Sequence, residues 1–217
     1  MEAIITKELL AKLPKTDLHL HLDGSLRIAT LIELAKEARV KLPSYDEAGL
    51  RATVFKAVYG SLEEYLAGFG YTVAVMQRAD QLRRVARELV EDNAAEGVRY
   101  IEVRFAPQLH AREGWSTVEV LRAVNQGLQE GKDAFNRRPE VVSGAEPPFE
   151  YGIITCAMRY FDGNFSQYYR SFIDLHRYSP RNRVWALAAL ELAQAAVHAR
   201  DEESIPVVGF DLAGPEE

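Results

Sequence analysis

The stretch Asp17-Leu18-His19-Leu20-His21-Leu22-Asp23-Gly24 alternates polar and apolar residues without a break up to its final glycine. Because a strand turns successive side chains to opposite faces, we expect the four ionisable groups on one face and the three leucines on the other. A polar inner face and an apolar outer face covered by helices are typical of a strand in a parallel barrel. The stretch therefore predicts a barrel strand whose inner face carries chemistry.

Two histidines at this spacing indicate a metal site. In a strand, His19 and His21 can aim their ring nitrogens at one point, where zinc or another divalent metal accepts neutral imidazole. The alternative is that both are hydrogen-bonded core residues, and His-x-His also arises by chance. Asp17 and Asp23 on the same face favour the metal, because burying these groups unpaired costs several kcal/mol.

Composition limits the classes of function. A chain of 217 residues, 47% of them hydrophobic, suits one packed domain spanning 1–217. The net charge of −6 gives no reason to expect nucleic acid or a membrane as a partner. Cys156 is the only cysteine, which excludes a disulfide framework and a cysteine-based zinc site. With no signal peptide and no apolar run of about 20 residues, a cytoplasmic protein is expected.

Strands and helices alternate along the rest of the chain, which predicts a parallel α/β fold. After the strand at 16–22, further strands are predicted at 98–105, 150–158 and 206–211. The predicted helices are 26–38, 79–95, 116–135, 165–177 and 180–198, with two short ones beginning at the capping boxes Ser44-x-x-Glu47 and Ser61-x-x-Glu64. The second of these short helices has an apolar stripe, which alone indicates core packing: Leu62, Tyr65, Leu66 and Phe69.

Some ionisable residues receive a structural interpretation. Glu102 and Arg104 share a parity in the second strand and predict an inward ion pair or polar network. Cys156 is interpreted as a small buried hydrophobe rather than a nucleophile. Three further histidines have no metal-like spacing and are interpreted as surface or packing residues: His110, His176 and His198.

Four strand–helix units are too few to close an eight-stranded barrel. Such a sheet would expose the edges of its first and fourth strands, which native proteins avoid. The sequence also stops directly after the fourth strand, at Gly214-Pro215-Glu216-Glu217. We therefore expect the 217 residues to be a fragment of a longer chain.

Residues 13–25 (LPKTDLHLHLDGS) resemble the first strand of the adenosine deaminase family, in the metal-dependent amidohydrolase superfamily. Residues 100–107 (YIEVRFAP), 154–159 (ITCAMR) and 207–214 (VVGFDLAG) resemble its second, third and fourth strands in the same order. The similarity covers essentially the whole chain, but only about the first half of the family's length. The first and last motifs together are specific.

The resemblance implies a (β/α)8 TIM barrel, of which this chain holds about the first four units, with the site at the C-terminal ends of the strands. It implies that His19 and His21 bind one Zn²⁺, and that His21, Asp23 and Gly214 bind the substrate. In the family, the residue matching Asp23 contacts the sugar and the glycine matching Gly214 offers its backbone to the purine. A helical lid over residues 44–77 is also implied, so gating and packing are equally favoured for Leu62, Tyr65, Leu66 and Phe69.

The implied reaction is hydrolytic deamination of adenosine or 2′-deoxyadenosine to inosine or 2′-deoxyinosine with release of ammonia, a step of purine salvage. The family's third metal histidine, its general acid Glu and its Asp-Asp pair belong to later strands and have no counterpart in residues 1–217. We therefore expect the general acid beyond Glu217 and predict that this chain, without the C-terminal half of the barrel, has no catalytic residue, binds zinc weakly and is inactive.

Two alternatives to this function stay open. Relatives that deaminate adenine or aminofutalosine share the fold but tend to carry Glu where this chain has Asp23, so the aspartate favours a nucleoside. A non-catalytic half-barrel that binds a purine or a partner chain is the other alternative. The presence of His19, His21, Asp23 and Gly214 argues against such a decayed site.

Overall fold

The computed structural model describes residues 5–214, which form one parallel sheet surrounded by helices. Its strands, which lie side by side in chain order, are β1 (Lys15–His21), β2 (Val98–Phe105), β3 (Glu150–Met158) and β4 (Val207–Ala213). All neighbouring pairs are parallel, and each strand matches its predicted position to within two residues. In the described part of the chain β1 and β4 are the sheet edges, so the predicted partial parallel barrel is confirmed.

One helix precedes β1, and helices fill every connection between the strands. They are α1 (Lys7–Lys12), α2 (Ile28–Ala38), α3 (Glu47–Thr53), α4 (Leu62–Ala74), α5 (Ala79–Ala95), α6 (Thr117–Asn136), α7 (Pro139–Val142), α8 (Gln167–Leu175) and α9 (Arg181–Asp201), with a 3₁₀ turn at Pro107–Leu109. The region predicted as a lid, 44–77, contains α3 and α4. None of the helices within residues 5–214 combines the length and the apolar character needed to cross a bilayer.

The apolar core lies between the outer face of the sheet and the helices, with Ile101 and Val103 of β2 fully buried in it. α5 and α6, which flank β2 in the chain, pack unusually close together. A Cβ atom on Gly127 of α6 would lie 2.1 Å from the backbone oxygen of Arg83 in α5. Glycine at this position therefore sets the distance between the two helices, because interiors packed this tightly have no room for a methyl group.

β1 departs from the strict alternation that its sequence predicts. Asp17 lies opposite the buried Ile101, and Leu20 lies opposite Val103, so three steps along β1 face two along β2. Such a β-bulge reverses the parity of the residues that precede it. The prediction that all the ionisable groups share one face is therefore wrong for Asp17, whose carboxylate accepts the backbone N–H of His19 at 3.0 Å.

Two other local expectations also differ from the structure. Leu18 is 54% exposed rather than covered by a helix, because β1 is an edge strand of the described sheet. α3 begins after Asp46, whose carboxylate accepts the backbone N–H of Gly49 at 2.8 Å, whereas the hydroxyl of Ser44 donates to the Asp46 side chain. Aspartate caps a helix as well as serine does, and Asp46 lies next to the first helical residue.

Candidate active site

A cavity of about 730 Å³ opens where the four strands end, beside α4. Each strand contributes lining residues near its C-terminal end, namely His21 and Asp23, Phe105 and Ala106, Cys156 and Met158, and Ala213 and Gly214. The rest of the lining comes from α4 and from the loops that follow α4, β2 and β3: Glu63, Leu66, Phe69, Gly70, Val73, Ala74, Gln77, Leu109, Tyr160, Asn164, Phe165 and Ser166. Ligands of parallel α/β folds bind at this end of the strands, which makes the cavity the candidate active site.

His21 and Asp23 stand together at the end of β1. The His21 ring nitrogen Nδ1 lies 3.6 Å from Oδ1 of Asp23, and the hydroxyl of Ser25 donates to the backbone oxygen of His21. Asp23 is 7% exposed, and its Oδ1 has no hydrogen-bond partner among residues 5–214. Leaving such an acceptor unsatisfied costs about 1–3 kcal/mol, so this oxygen is suited to accept a bond from a ligand hydroxyl.

His19 lies beside His21 but outside the cavity lining. The two rings are 5.4 Å apart between centroids and tilted by 41°. Two neighbouring imidazoles are a donor set that suits zinc, and in this respect the residues present fit the predicted metal. Within the described part of the chain, no three His, Cys, Asp or Glu side chains form a metal-binding group. The structure therefore brings together two side chains, His19 and His21, whose chemistry suits zinc.

α4 contributes part of the predicted lid to the cavity. Leu66 and Phe69 line it, and the Phe69 ring meets the His21 ring edge-on at 6.1 Å. Leu62 and Tyr65 are 56% and 44% exposed and lie outside the lining. The apolar stripe therefore divides, with its C-terminal pair facing the cavity and its N-terminal pair largely facing solvent.

Gly214 lies directly after β4 and lines the cavity. Its φ angle is +99°, which lies in the region that residues with a Cβ atom rarely adopt. A Cβ atom here would also lie 3.3 Å from the terminal methyl group of Met158. The backbone at this point is thus exposed to the cavity in a form that only glycine supplies without strain.

The predicted inward polar network exists, but its partners differ from the sequence expectation. Glu102 accepts a hydrogen bond from the Tyr100 hydroxyl at 3.1 Å. Arg104 donates instead to the carboxylate of Asp211 on β4 and to the backbone oxygen of Leu18 on β1 at 3.3 Å. Arg104 therefore joins both edge strands below the cavity.

Two buried titratable groups lie next to this site and are chemically quiet. His110 is fully buried with Nδ1 2.8 Å from the backbone oxygen of Met76. Burial lowers the pKa of His110 to about 4, although the Asp23 carboxylate acts in the opposite direction. Burial likewise raises the pKa of the Cys156 thiol to about 12. The structure confirms two interpretations made from the sequence: His110 is a packing residue, and Cys156 is a small buried hydrophobe.

Gln108 was not singled out by the sequence, yet it holds one wall of the cavity. Its fully buried amide donates to the Tyr168 hydroxyl at 2.9 Å, to the backbone oxygen of Ala188 at 2.8 Å and to Glu191 at 3.0 Å. Its backbone oxygen accepts from the hydroxyl of Ser166, a lining residue, at 2.8 Å. The sequence could have indicated Gln108 because it is a polar residue in the first turn after a barrel strand, where functional loops begin.

The sequence profile of the family described as Adenosine deaminase matches residues 14–181. A Dictyostelium discoideum protein named probable adenosine deaminase is 36% identical over 214 residues, which cover 98% of this chain and 23% of that protein. Arabidopsis ADAL complexed with GMP is similar in structure, with a TM-score of 0.66 and 27% identity over 96% of this chain and 52% of that one. An amidohydrolase from Burkholderia ambifaria with bound Zn has a TM-score of 0.66 at 20% identity, over 100% and 49% of the two chains.

The chain thus spans about a quarter of the length of that curated relative and about half of each solved chain. The likeness to the zinc-bound protein, at 20% identity, shows the fold alone.

Proposed function

The chain belongs to the adenosine deaminase family, and from this premise we propose that it forms the substrate-binding half of a site for hydrolytic deamination of adenosine or 2′-deoxyadenosine. The observation that carries the proposal is the meeting of His21, Asp23 and Gly214 in one cavity. Asp23 comes from the end of β1 and Gly214 from the end of β4, the opposite edge of the sheet. Because residues from both edges of the described sheet line the same cavity, one ligand can contact them together.

Each of these residues suits one part of a nucleoside. The unpartnered oxygen of Asp23 accepts a sugar hydroxyl, which removes the cost of burying it unsatisfied. Gly214 lets a flat purine approach the backbone. Leu66 and Phe69 cover the bound nucleoside and exclude water from it.

His19 and His21 are the residues that would hold a zinc ion. When bound, zinc supplies Lewis-acid activation of the hydrolytic water. Oδ1 of Asp23 lies 3.6 Å from Nδ1 of His21, and on binding of the metal this carboxylate would orient the imidazole. A catalytic zinc normally has three protein ligands, so the described residues support weak binding only.

The reaction also needs a general acid and further metal ligands. Proton transfer to the purine ring needs a carboxylic acid in reach of the base. Of the two carboxylates in the described lining, Asp23 binds the sugar, and Glu63 lies in the exposed first turn of α4. We therefore expect the general acid and the remaining metal ligands from other residues of the complete protein, and no turnover by residues 1–217 alone.

The test is turnover by the full-length protein, measured as ammonia released from adenosine, 2′-deoxyadenosine, adenine and AMP. AMP is included because the Arabidopsis relative is complexed with a nucleotide, GMP. We expect both nucleosides to be deaminated and Asp23→Ala to lower kcat/KM for adenosine by about ten- to a hundredfold, as for loss of a charged hydrogen bond. His176→Ala on the end of α8, outside the lining, is the matched control.

Activity on adenine without activity on adenosine would contradict the nucleoside substrate and indicate that the protein deaminates the free base. Protein that deaminates none of the four compounds while holding zinc would favour the non-catalytic alternative. A separate measurement on the 217-residue chain compares zinc affinity of His21→Ala and His198→Ala, and we expect only the first to lower it.

A further inference from the structure

The charged residues of the cavity are all acidic. Among the described lining residues the carboxyl groups are those of Asp23 and Glu63, and none of the lining residues is Lys or Arg. Phosphate sites are normally built from arginine, lysine or free backbone amides. In the described part of the chain, the wall of this cavity therefore has no cationic side chain that could bind a phosphate group.

The N-terminus of α4 is the place on this wall where an anion would otherwise bind. The first amides of a helix are unpaired and carry partial positive charge, which attracts phosphates. Here the first turn contains Glu63, an exposed residue whose side chain lines the cavity. The backbone amide of Glu63 and the side chain of Ser61 hold the pKa of this carboxyl group below its usual value, so it is ionised at neutral pH.

The neighbouring Glu64 has a different environment. Its carboxylate accepts from the ammonium group of Lys56 at 2.5 Å and from the backbone N–H of Gly60 at 2.6 Å. It lies outside the cavity lining. These two glutamates of one helical turn thus differ. Glu63 lines the cavity and has no ion pair with the described residues, whereas Glu64 lies outside the lining and is paired with Lys56.

We propose that Glu63 is a specificity-determining residue that admits uncharged nucleosides and rejects their phosphorylated forms. The inference rests on the proposed function, because it assigns a substrate class to that same cavity. A nucleoside monophosphate carries about two negative charges, which would meet a fixed carboxylate at the position where an anion site would otherwise exist. Rejection by like charge of this kind is a common device of specific binding sites.

The experiment compares the wild-type full-length protein with Glu63→Gln and Glu63→Lys, and with Glu64→Gln as the control of equal charge change in the same turn. The quantity measured is the ratio of kcat/KM for adenosine to kcat/KM for AMP. We expect a wild-type ratio above about 100, a ratio about tenfold lower in Glu63→Gln, and a further decrease in Glu63→Lys. Glu64→Gln should keep the wild-type ratio.

Added salt supplies a second readout that a loss of helix stability would not produce. Raising ionic strength from 0.01 M to about 0.5 M should lower the ratio in the wild type and leave it nearly constant in Glu63→Gln, because salt screens the repulsion only where the charge exists. Thermal unfolding of every variant checks that the fold is kept.

The outcomes separate this inference from the proposed function. If the wild type deaminates neither compound, the proposed function fails, and calorimetric binding of inosine and IMP then decides the role of Glu63. Tighter binding of IMP to Glu63→Gln than to the wild type supports the proposal. A wild type that takes both forms equally, an unchanged ratio or affinity in Glu63→Gln, or a protein that binds neither compound overturns it.

Discussion

Arg104 of β2 reaches past β3 to bond with Asp211 of β4, so that one guanidinium group links strands that are not neighbours in the sheet. The Arg104 side chain is 11% exposed, whereas that of Asp211 is 42% exposed. Loss of the pair should therefore cost stability mainly through Arg104, because a buried guanidinium group without its partner has little access to water.

We expect Asp211→Ala to destabilise the fold by about 2 kcal/mol, less than for a fully buried pair because Asp211 is half exposed. Glu203→Ala is the control: it also removes the partner of an arginine, but that arginine, Arg122, is 55% exposed and can be hydrated. Its cost should stay below about 0.5 kcal/mol. Urea unfolding measures both, and equal losses would contradict the assignment.

The stability of the fold should fall in acid because of His110. Its pKa is about 4 in the folded chain and 6.5 ordinarily, so the unfolded chain binds the proton more tightly. The resulting stabilisation is complete above pH 6.5 and is lost as the pH falls through that value towards 4. The loss should reach at most about 3 kcal/mol, as each pKa unit corresponds to about 1.4 kcal/mol.

Urea unfolding at several pH values between 7 and 4 measures this effect. His110→Gln should flatten the pH dependence, while His198→Gln, whose side chain is 56% exposed on α9, should leave it unchanged. An equally steep slope in His110→Gln would show that other groups cause the loss.

Gly127→Ala should destabilise the protein by about 2–3 kcal/mol, because the added methyl group would lie 2.1 Å from the backbone oxygen of Arg83 and force α5 and α6 apart. Gly70 is also helical, in α4, but apart from its chain neighbours and the backbone of its own helix no atom of the described residues lies within 4 Å of the position where its Cβ would be. Gly70→Ala should therefore be neutral or stabilise by up to about 1 kcal/mol through helix propensity. Thermal unfolding distinguishes the two, and similar losses would contradict the close helix contact.

Cys156 should resist thiol reagents in the native protein. It is 1% exposed, and burial raises the pKa of its thiol to about 12, so the reactive thiolate is scarce at pH 8. An aromatic disulfide reagent should react at least about 100-fold faster after unfolding in urea than before. Since Cys156 is the only cysteine, the full signal comes from one group, and rapid native labelling would exclude the burial described here.

The strands were predictable because their signals are local. β2 has alternating apolar residues between Gly97, which ends α5, and Pro107, which begins the next turn. The bulge in β1 was not predictable, because no glycine or proline marks it and its position depends on the register against β2. Asp17 was therefore assigned to the wrong face.

The candidate site was predictable where a motif names the residue. His21, Asp23 and Gly214 follow from the similarity to a family, and they meet in the cavity. Partners chosen by the fold were not predictable: Arg104 was paired with Glu102 two residues away, but its carboxylate partner is on β4. Leu62 shares a helical face with Leu66, yet only Leu66 lines the cavity, because Leu62 is 56% exposed one turn closer to the start of α4.

The amide of Gln108 finds its partners late in the chain, in Tyr168, Ala188 and Glu191, which lie 60, 80 and 83 residues further on. A ribosome adds about 5–20 residues per second, so an interval of this length takes about 4–16 s. During this time a group that is fully buried in the finished fold remains hydrated, and the wall that carries Ser166 has no anchor. The wall around Gln108 therefore cannot form before α9 has emerged, and until then this part of the nascent chain is open to chaperones and proteases.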